Sequence, residues 1–357
     1  MGDFRQRIRF CNSRDGTRIA FSVIGRGPPL VMLSGGHSHL ELDLESPVLG
    51  HWIAALARRH SLVRLDTRGF GFSDRGIEDQ SIDAVVDDVE AVADALGLGR
   101  FALLAWLGGT PFAITFATRH PERVGHLVLH AAYARGWLKR DVGPRERSAV
   151  DALVKQVESG WDMADPIVRH AITSSFIPDS TAAQQAWFND ALRASAFGED
   201  AARRLLTRLT SDVREAAARV GCPTIVLNAE QDTNPPIAEG RLAASLIPGA
   251  HFVSLPSRNH VLLAHEPAWG RWLEEVETFL RRPAPQGSAF ARLSPRELAL
   301  AALIAEGLDN AQIAARLSIS EKTVRNHITR IFAKLNVETR AQAIVLAHGE
   351  GLGPAAR

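Results

Sequence analysis

Six short apolar runs constrain this chain most. Residues 30–33, 62–65, 101–105, 124–129, 224–227 and 251–255 are rich in apolar side chains with little polar alternation, and each is shorter than an ordinary helix. Such runs suit strands covered on both faces, because a strand with one wet face alternates polar and apolar residues. Between them lie segments with helical spacing, at 52–59, 82–96, 111–119, 237–246 and 269–280. Alternation of this kind implies a mostly parallel sheet with helices on both sides, an α/β fold. Residues 7–10 and 18–24 read as two more strands joined by a turn at Arg14-Asp15-Gly16. The stretch 135–220 interrupts the alternation. It is helical in pattern and carries Trp161, Phe176, Trp187 and Phe188, which we read as a cap over the C-terminal edge of the strands, where open α/β sheets bind ligands.

A second break divides the chain. Residues 281–289 read RRPAPQGSA, and two prolines in such company make a linker, because proline removes backbone donors and blocks helix. Three parts follow: a large domain at 1–280, a linker at 281–290 and a small domain at 291–357. The small domain has nine Lys/Arg against six Asp/Glu, and the remainder 32 against 34. The whole chain, at +1, excludes a uniformly basic coat but leaves room for a local basic face. Two cysteines, Cys11 and Cys222, cannot build a disulfide framework and fit a reducing compartment. The charged start MGDFRQRIRF has no apolar leader, and no apolar run is long enough to span a bilayer, so a cytoplasmic protein without a membrane role is expected.

In the small domain Ser294-Pro295 opens a helix to about Glu306, Gly307 ends it, and Asn310 opens a second helix through Leu317. After the turn at Ser318-Ile319-Ser320, a third helix places Val324, Ile328, Ile331, Phe332 and Leu335 on one apolar face. Its opposite face collects Lys322, Arg325, Asn326 and Thr329, with Arg330 at the flank. A short helix, a tight turn and a longer helix with a basic, amide-bearing face form a helix-turn-helix suited to the DNA major groove, where Arg and Lys read guanine and Asn reads adenine. The segment LSPREL…IAEGLDNAQIAARLSISEKTVRNHITRIFAKLNVETRAQA resembles the LuxR-type helix-turn-helix over nearly the whole domain. The resemblance implies double-stranded DNA as partner. It puts Arg325, Asn326 and Thr329 at base edges, and Lys322, Thr323 and Arg330 at phosphates. It also implies pairing of two copies through the last helix, 339–348.

The large domain resembles the α/β-hydrolase fold through Asp66-Thr67-Arg68-Gly69-Phe70-Gly71-Phe72-Ser73, then 101–124, Asp232 and His260. Hydrolases of this fold carry a serine on a strained strand-to-helix turn between small residues, a histidine that takes its proton and an acid that orients the histidine. The run here is Leu104-Ala105-Trp106-Leu107-Gly108-Gly109-Thr110. Counting back from His120-Pro121 places the nucleophile at Leu107, with Ala105 and Gly109 at the small-residue positions. Leucine has no heteroatom to form an acyl-enzyme. Asp232 and His260 remain as acid and base by resemblance, so Leu107, Asp232 and His260 form a remnant triad. Gly35 and Gly36 end a strand where this fold offers an oxyanion N–H.

The pocket expected under the cap therefore comprises Gly35, Gly36, His37, Trp106, Leu107, Gly108, Trp187 and His260. Thr110, Ser34, Ser38 and Ser73 are the other hydroxyls near this edge, and none has an evident activating arrangement. His37, His39, Glu41, Asp43 and Glu45 raise the question of a metal, but their spacing matches no compact ligand set. We expect no metal and no cofactor. Two readings follow. One is a dimeric transcription regulator whose degenerate hydrolase domain binds a partly apolar small molecule. The other is an active esterase or lactonase with a non-standard nucleophile and a DNA-binding tail.

Overall fold

The computed structural model describes residues 6–106, 108–283, 290, 293–335 and 337–349. It divides into two compact units, Met1–Ala284 and Pro285–Arg357.

The first unit is built on eight strands: β1 (Ile8–Asn12), β2 (Arg18–Ile24), β3 (Pro29–Ser34), β4 (Ser61–Leu65), β5 (Phe101–Trp106), β6 (Val124–His130), β7 (Thr224–Ala229) and β8 (His251–Leu255). They lie in the order β1-β2-β4-β3-β5-β6-β7-β8. β1 pairs antiparallel with β2 and β2 with β4, and every pairing from β4 to β8 is parallel. The continuous apolar runs follow from this placement. Leu30 and Met32 of β3 face one core with Leu104, Val128 and Leu227, while Val31 and Leu33 face the other with Leu103, Leu127 and Val226. Helices Gly50–Ala57 and Pro267–Leu280 cover the first face, and Ile82–Ala95, Thr110–Arg119 and Ile237–Leu246 cover the second. Ser81 caps the helix at 82, accepting from the Ala84 N–H at 3.2 Å.

Between β6 and β7 the chain leaves the sheet. A turn of 3₁₀ helix at Trp137–Lys139 leads into helices Pro144–Gly160, Ile167–Phe176, Ala182–Ser195 and Gly198–Thr210, and a short helix Arg214–Ala217 returns to β7. Val157, Trp161, Phe176, Phe188, Leu192, Ala201 and Ala202 join these helices to the first of the two cores.

The second unit has four helices among the described residues: Pro295–Ala305, Asn310–Leu317, Glu321–Leu335 and Arg340–Gly349. Ser294 and Glu297 cap the first reciprocally, Asp309 and Gln312 the second. Ser318 takes the left-handed conformation, φ 54°, and turns the chain into the third helix. Leu300, Ile304, Ile313, Val324, Ile331, Leu335, Ala343 and Ala347 form a core of its own. Ile328 and Phe332, expected on the same face, are partly buried against it. The linker expected at 281–290 falls mostly outside the described residues.

Candidate functional site

Asp232 stands in the loop after β7 and His260 in the loop after β8. Parallel register brings the two loops together at one end of the sheet. His260 Nδ1 donates to Asp232 Oδ2 at 2.7 Å, and both side chains are buried. Asp232 Oδ1 accepts from the Asn234 N–H at 2.7 Å, so both carboxylate oxygens are engaged. The His260 ring stacks on Phe176, centroids 4.8 Å apart, and its backbone N–H donates to the Phe176 carbonyl at 2.8 Å. His130 Nε2 donates to the His260 carbonyl at 2.8 Å, and burial holds the His130 pKa at about 4. The imidazole is thus held by the Asp232 carboxylate and the Phe176 ring, and its backbone by Phe176 and His130; with a carboxylate as acceptor, Nδ1 carries the proton. Its Nε2 is buried and has no hydrogen-bond partner among the described residues.

That nitrogen is where a serine hydroxyl would bond. Leu107, the position at which the fold expects the nucleophile, lies outside the described residues; β5 ends at Trp106 and the next helix begins at Thr110. The other hydroxyls do not fill the gap. Ser34 Oγ donates to the His37 carbonyl at 2.9 Å. Ser73 Oγ donates to the Asp66 carbonyl at 2.5 Å and accepts from the Ala20 N–H. Ser38 Oγ and Thr110 Oγ1 are buried without partners among the described residues, so neither is bonded to the imidazole. Burial raises both thiols, Cys11 and Cys222, to about 11, which leaves them inert.

The turn itself is tight. Gly108 has φ +85°, which favours glycine. A Cβ on Gly35 would come within 2.0 Å of the Gly108 carbonyl carbon. The Gly35 N–H donates to the Trp106 carbonyl at 3.3 Å, and the Gly36 N–H points at Ser34 Oγ, 3.5 Å away. At the strand end expected to offer an oxyanion N–H, the Gly35 amide is therefore turned to the protein's own carbonyl.

Beneath the cap lies a cavity of about 290 Å³. Gly35, Gly36 and His37 line one wall, and Leu153, Val157, Trp161, Ile172, Phe176, Ala201 and Leu205 of the cap line the other, with Arg204, Arg208 and Asn234. Gly108 and His260 open instead on an adjoining recess of about 30 Å³ that shares Arg208. Two expected pocket residues lie elsewhere. Trp106 belongs to the first-face core and packs on Trp52, centroids 5.4 Å apart, because alternation along β5 turns it with Leu104. Trp187 packs half-buried on that core, while its neighbour Phe188 turns inward and meets His37 edge to face at 5.5 Å. His37 is buried. Burial, with the nearby Arg208 charge, holds its pKa at about 3, so the ring is neutral at physiological pH. The sequence reading missed Arg204, Arg208 and Asn234. The spacing of the two arginines, four apart on a cap helix, was the available signal.

The Asp66–Ser73 segment is structural. Arg68 is buried and pairs with Asp88 at 2.6 Å and Asp15 at 2.7 Å. Asp66 accepts from the Leu40 and Phe72 N–H groups. Among the described residues no group of three or more His, Cys, Asp or Glu is placed to hold a metal ion, and no helix is long and apolar enough to cross a membrane.

In the second unit, Lys322, Arg325, Asn326, Thr329 and Arg330 are exposed on the helix Glu321–Leu335, opposite buried Val324, Ile331 and Leu335. Thr323 is half-buried and tied to the Ser320 cap: its N–H donates to Ser320 Oγ at 3.1 Å, and the two hydroxyls lie 2.8 Å apart. Thr329 Oγ1 donates back to the Arg325 carbonyl. Lys334 binds Glu297 at 2.6 Å and ties this helix to the first.

Fold and site together define a two-part molecule: an α/β-hydrolase architecture with an Asp–His pair, and a separate helix-turn-helix. Residues 28–267 match the family model described as alpha/beta hydrolase fold, and residues 291–347 that of the bacterial regulatory proteins, luxR family. The chain belongs to the alpha/beta hydrolase fold family and carries a C-terminal LuxR-family DNA-binding domain. It is 26% identical over 246 residues to the pimeloyl-[acyl-carrier protein] methyl ester esterase of Nitrosomonas europaea, covering 68% of this chain and 92% of that one. Its C-terminal region is 44% identical over 68 residues to the DNA-binding transcriptional activator DevR/DosR of Mycobacterium tuberculosis, 19% of this chain and 31% of that one. The esterase RhEst1 from Rhodococcus sp. ECU1013 superposes with a TM-score of 0.61 at 27% identity, covering 77% of this chain and 99% of that one.

Proposed function

We propose that this protein is a transcription regulator whose hydrolase-fold domain binds a small molecule without turning it over. The observation that carries the reading is a fully oriented His260 with no hydroxyl or thiol bonded to its Nε2 among the described residues. The position where the family resemblance puts the nucleophile is Leu107, which has no heteroatom. The Gly35 N–H, bonded to a carbonyl, gives an oxyanion no ready donor. Asp232 and His260 then serve as a fixed wall of a binding site. Ligand in the cap cavity biases one arrangement of the regulator over another, which requires that it bind the two unequally. We assign base reading to Arg325, Asn326 and Thr329, and phosphate contacts to Lys322, Thr323 and Arg330. Two copies pair through the helix Arg340–Gly349, and the protein works in the cytoplasm with no cofactor.

Selection from a random duplex library, followed by gel-shift titration at increasing salt, tests the DNA half. Binding should weaken steeply with salt, and Arg325→Ala or Asn326→Ala should each cost about 1–3 kcal/mol on the selected site. Binding that is absent, or indifferent to both substitutions, refutes it.

The intact Asp232–His260 bond favours one other reading, an esterase or lactonase with an unusual nucleophile, and the relatives named as esterases agree with it. Hydrolysis of p-nitrophenyl butyrate that disappears in His260→Ala would establish it. Turnover at the level of His260→Ala would leave the binding reading in place.

A further inference from the structure

The apolar cavity is lined by two arginines that form no ion pair among the described residues, although Asp232 acts on Arg208 and Asp88 and Asp200 on Arg204 from farther away. The cap helix Gly198–Thr210 turns Arg204 and Arg208 into the cavity wall, one helical turn apart. Arg204 is buried and Arg208 half-buried, whereas the buried Arg64 is matched by Asp43 at 3.0 Å and Arg68 by Asp88. Arg169 donates to two backbone carbonyls. Arg208 makes one hydrogen bond, from Nη2 to the neutral Asn234 Oδ1 at 3.2 Å, and its guanidinium stands 5.9 Å from the Phe176 ring centre. No carboxylate lies within ion-pair distance of it among the described residues, and Asp232, already bound to His260, is the acidic group that acts on its charge from farther away. Among the described residues Arg204 donates once, to the Arg68 carbonyl at 3.1 Å, and rests on the rings of Phe70 and Phe112, while its Nε and Nη1 have no partner.

Position matters as much as charge. Arg208 lines the main cavity, the small recess beside Gly108 and His260, and a third pocket under the cap. Its side chain runs so close to the elbow that a Cβ on Gly108 would lie 2.9 Å from Arg208 Cδ. It therefore stands beside the elbow and His260, on the wall of the apolar chamber. Neutral His37, whose Nε2 has no partner among the described residues, lines the same cavity. A guanidinium held among aromatic and aliphatic groups is costly until an anion meets it, and its planar fork matches a carboxylate. Arg204, one turn behind, adds positive potential without itself needing to touch the ligand.

We infer that the cavity takes an amphiphilic monocarboxylate, with its apolar chain against Leu153, Val157, Ile172 and Phe176 and its carboxylate on Arg208. This deepens, and rests on, the reading of the domain as a sensor.

Calorimetric titration of the full-length protein with octanoate and with 1-octanol at pH 7.5 tests it. Octanoate should bind about thirtyfold tighter, the penalty expected when a buried charge pair loses one member. Arg208→Met should remove that preference. Arg208→Lys, which keeps the charge and guards against a variant that simply misfolds, should retain part of it. Octanol bound as tightly as octanoate, octanoate affinity unaltered in both variants, or no octanoate binding at millimolar concentration overturns the inference. Octanol binding without octanoate preference leaves the sensor reading standing. Octanoate selectivity lost in Arg208→Met supports the inference even if the protein fails to bind DNA.

Discussion

Asp66 shows what the buried polar residues of this chain cost. Its Oδ2 accepts from two backbone amides, yet Oδ1 is buried without a partner among the described residues. Burial raises its pKa from 3.8 to about 7, helped by the Asp43 charge and opposed by the Phe72 amide. Because the folded value exceeds the unfolded one, the stability that the protonated group contributes is fully present below about pH 4. It is lost as pH rises through 7. Asp66→Asn keeps the acceptor and removes the titration. Urea denaturation should therefore show the variant gaining on wild type from pH 4 to 7 and holding level above. A constant difference across that range would mean that Asp66 ionises freely in the fold. His37 and His130 run the other way. Held neutral, at about 3 and about 4, they cost stability as pH falls below their unfolded value near 6.5. The comparison with Asp66→Asn isolates the carboxylate from them.

At the scale of elements, the meeting of β3, β5 and the helix Thr110–Arg119 fixes the candidate site. Gly35 sits against the Gly108 carbonyl carbon and the Gly109 nitrogen so closely that a Cβ would come within 2.0 and 2.1 Å of backbone. Backbone yields less readily than a side-chain tip. Gly35→Ala should cost at least the roughly 1–3 kcal/mol of an overpacked site, read as a lowered urea midpoint. An unchanged midpoint would show that the loop after β3 gives way freely. These elements were legible because their apolar runs are short, continuous and bounded by glycine or proline. Asp232 and His260 were legible because each follows a strand in a family pattern. The cavity was not. Its walls come from cap helices whose orientation depends on packing, and no local period reveals that Arg208 will lie over Gly108. Trp106 misled because its neighbour, position 107, belongs to the site, whereas strand alternation sends Trp106 itself into the core beside Trp52. In the helix-turn-helix, sequence and structure agree closely, since capping boxes and a single amphipathic face settle it locally.

The whole molecule has separate cores, and that has a measurable consequence. The hydrophobic cluster of the second unit, Ile313, Val324, Ile331 and Leu335 among them, shares no member with the two clusters of the first. All seven tryptophans precede residue 285, so their fluorescence reports the hydrolase-fold unit alone, whereas far-ultraviolet circular dichroism reports the helices of both. Ile331 is fully buried. Ile331→Ala should destabilise the second unit by about 2–5 kcal/mol and split the dichroism curve, with the fluorescence midpoint unmoved. Octanoate should do the converse. A ligand that binds only the folded cavity raises the stability of its own unit by RT ln(1 + [L]/Kd), so the fluorescence midpoint should climb with concentration while the step unmasked by Ile331→Ala stays in place. Movement of both midpoints by either perturbation would mean that the units unfold as one, and the path from cavity to DNA would then run through shared stability. Independent midpoints instead require the signal to pass through the arrangement of the units, a coupling that acts equally in both directions: whatever factor octanoate applies to DNA affinity, DNA must apply to octanoate affinity.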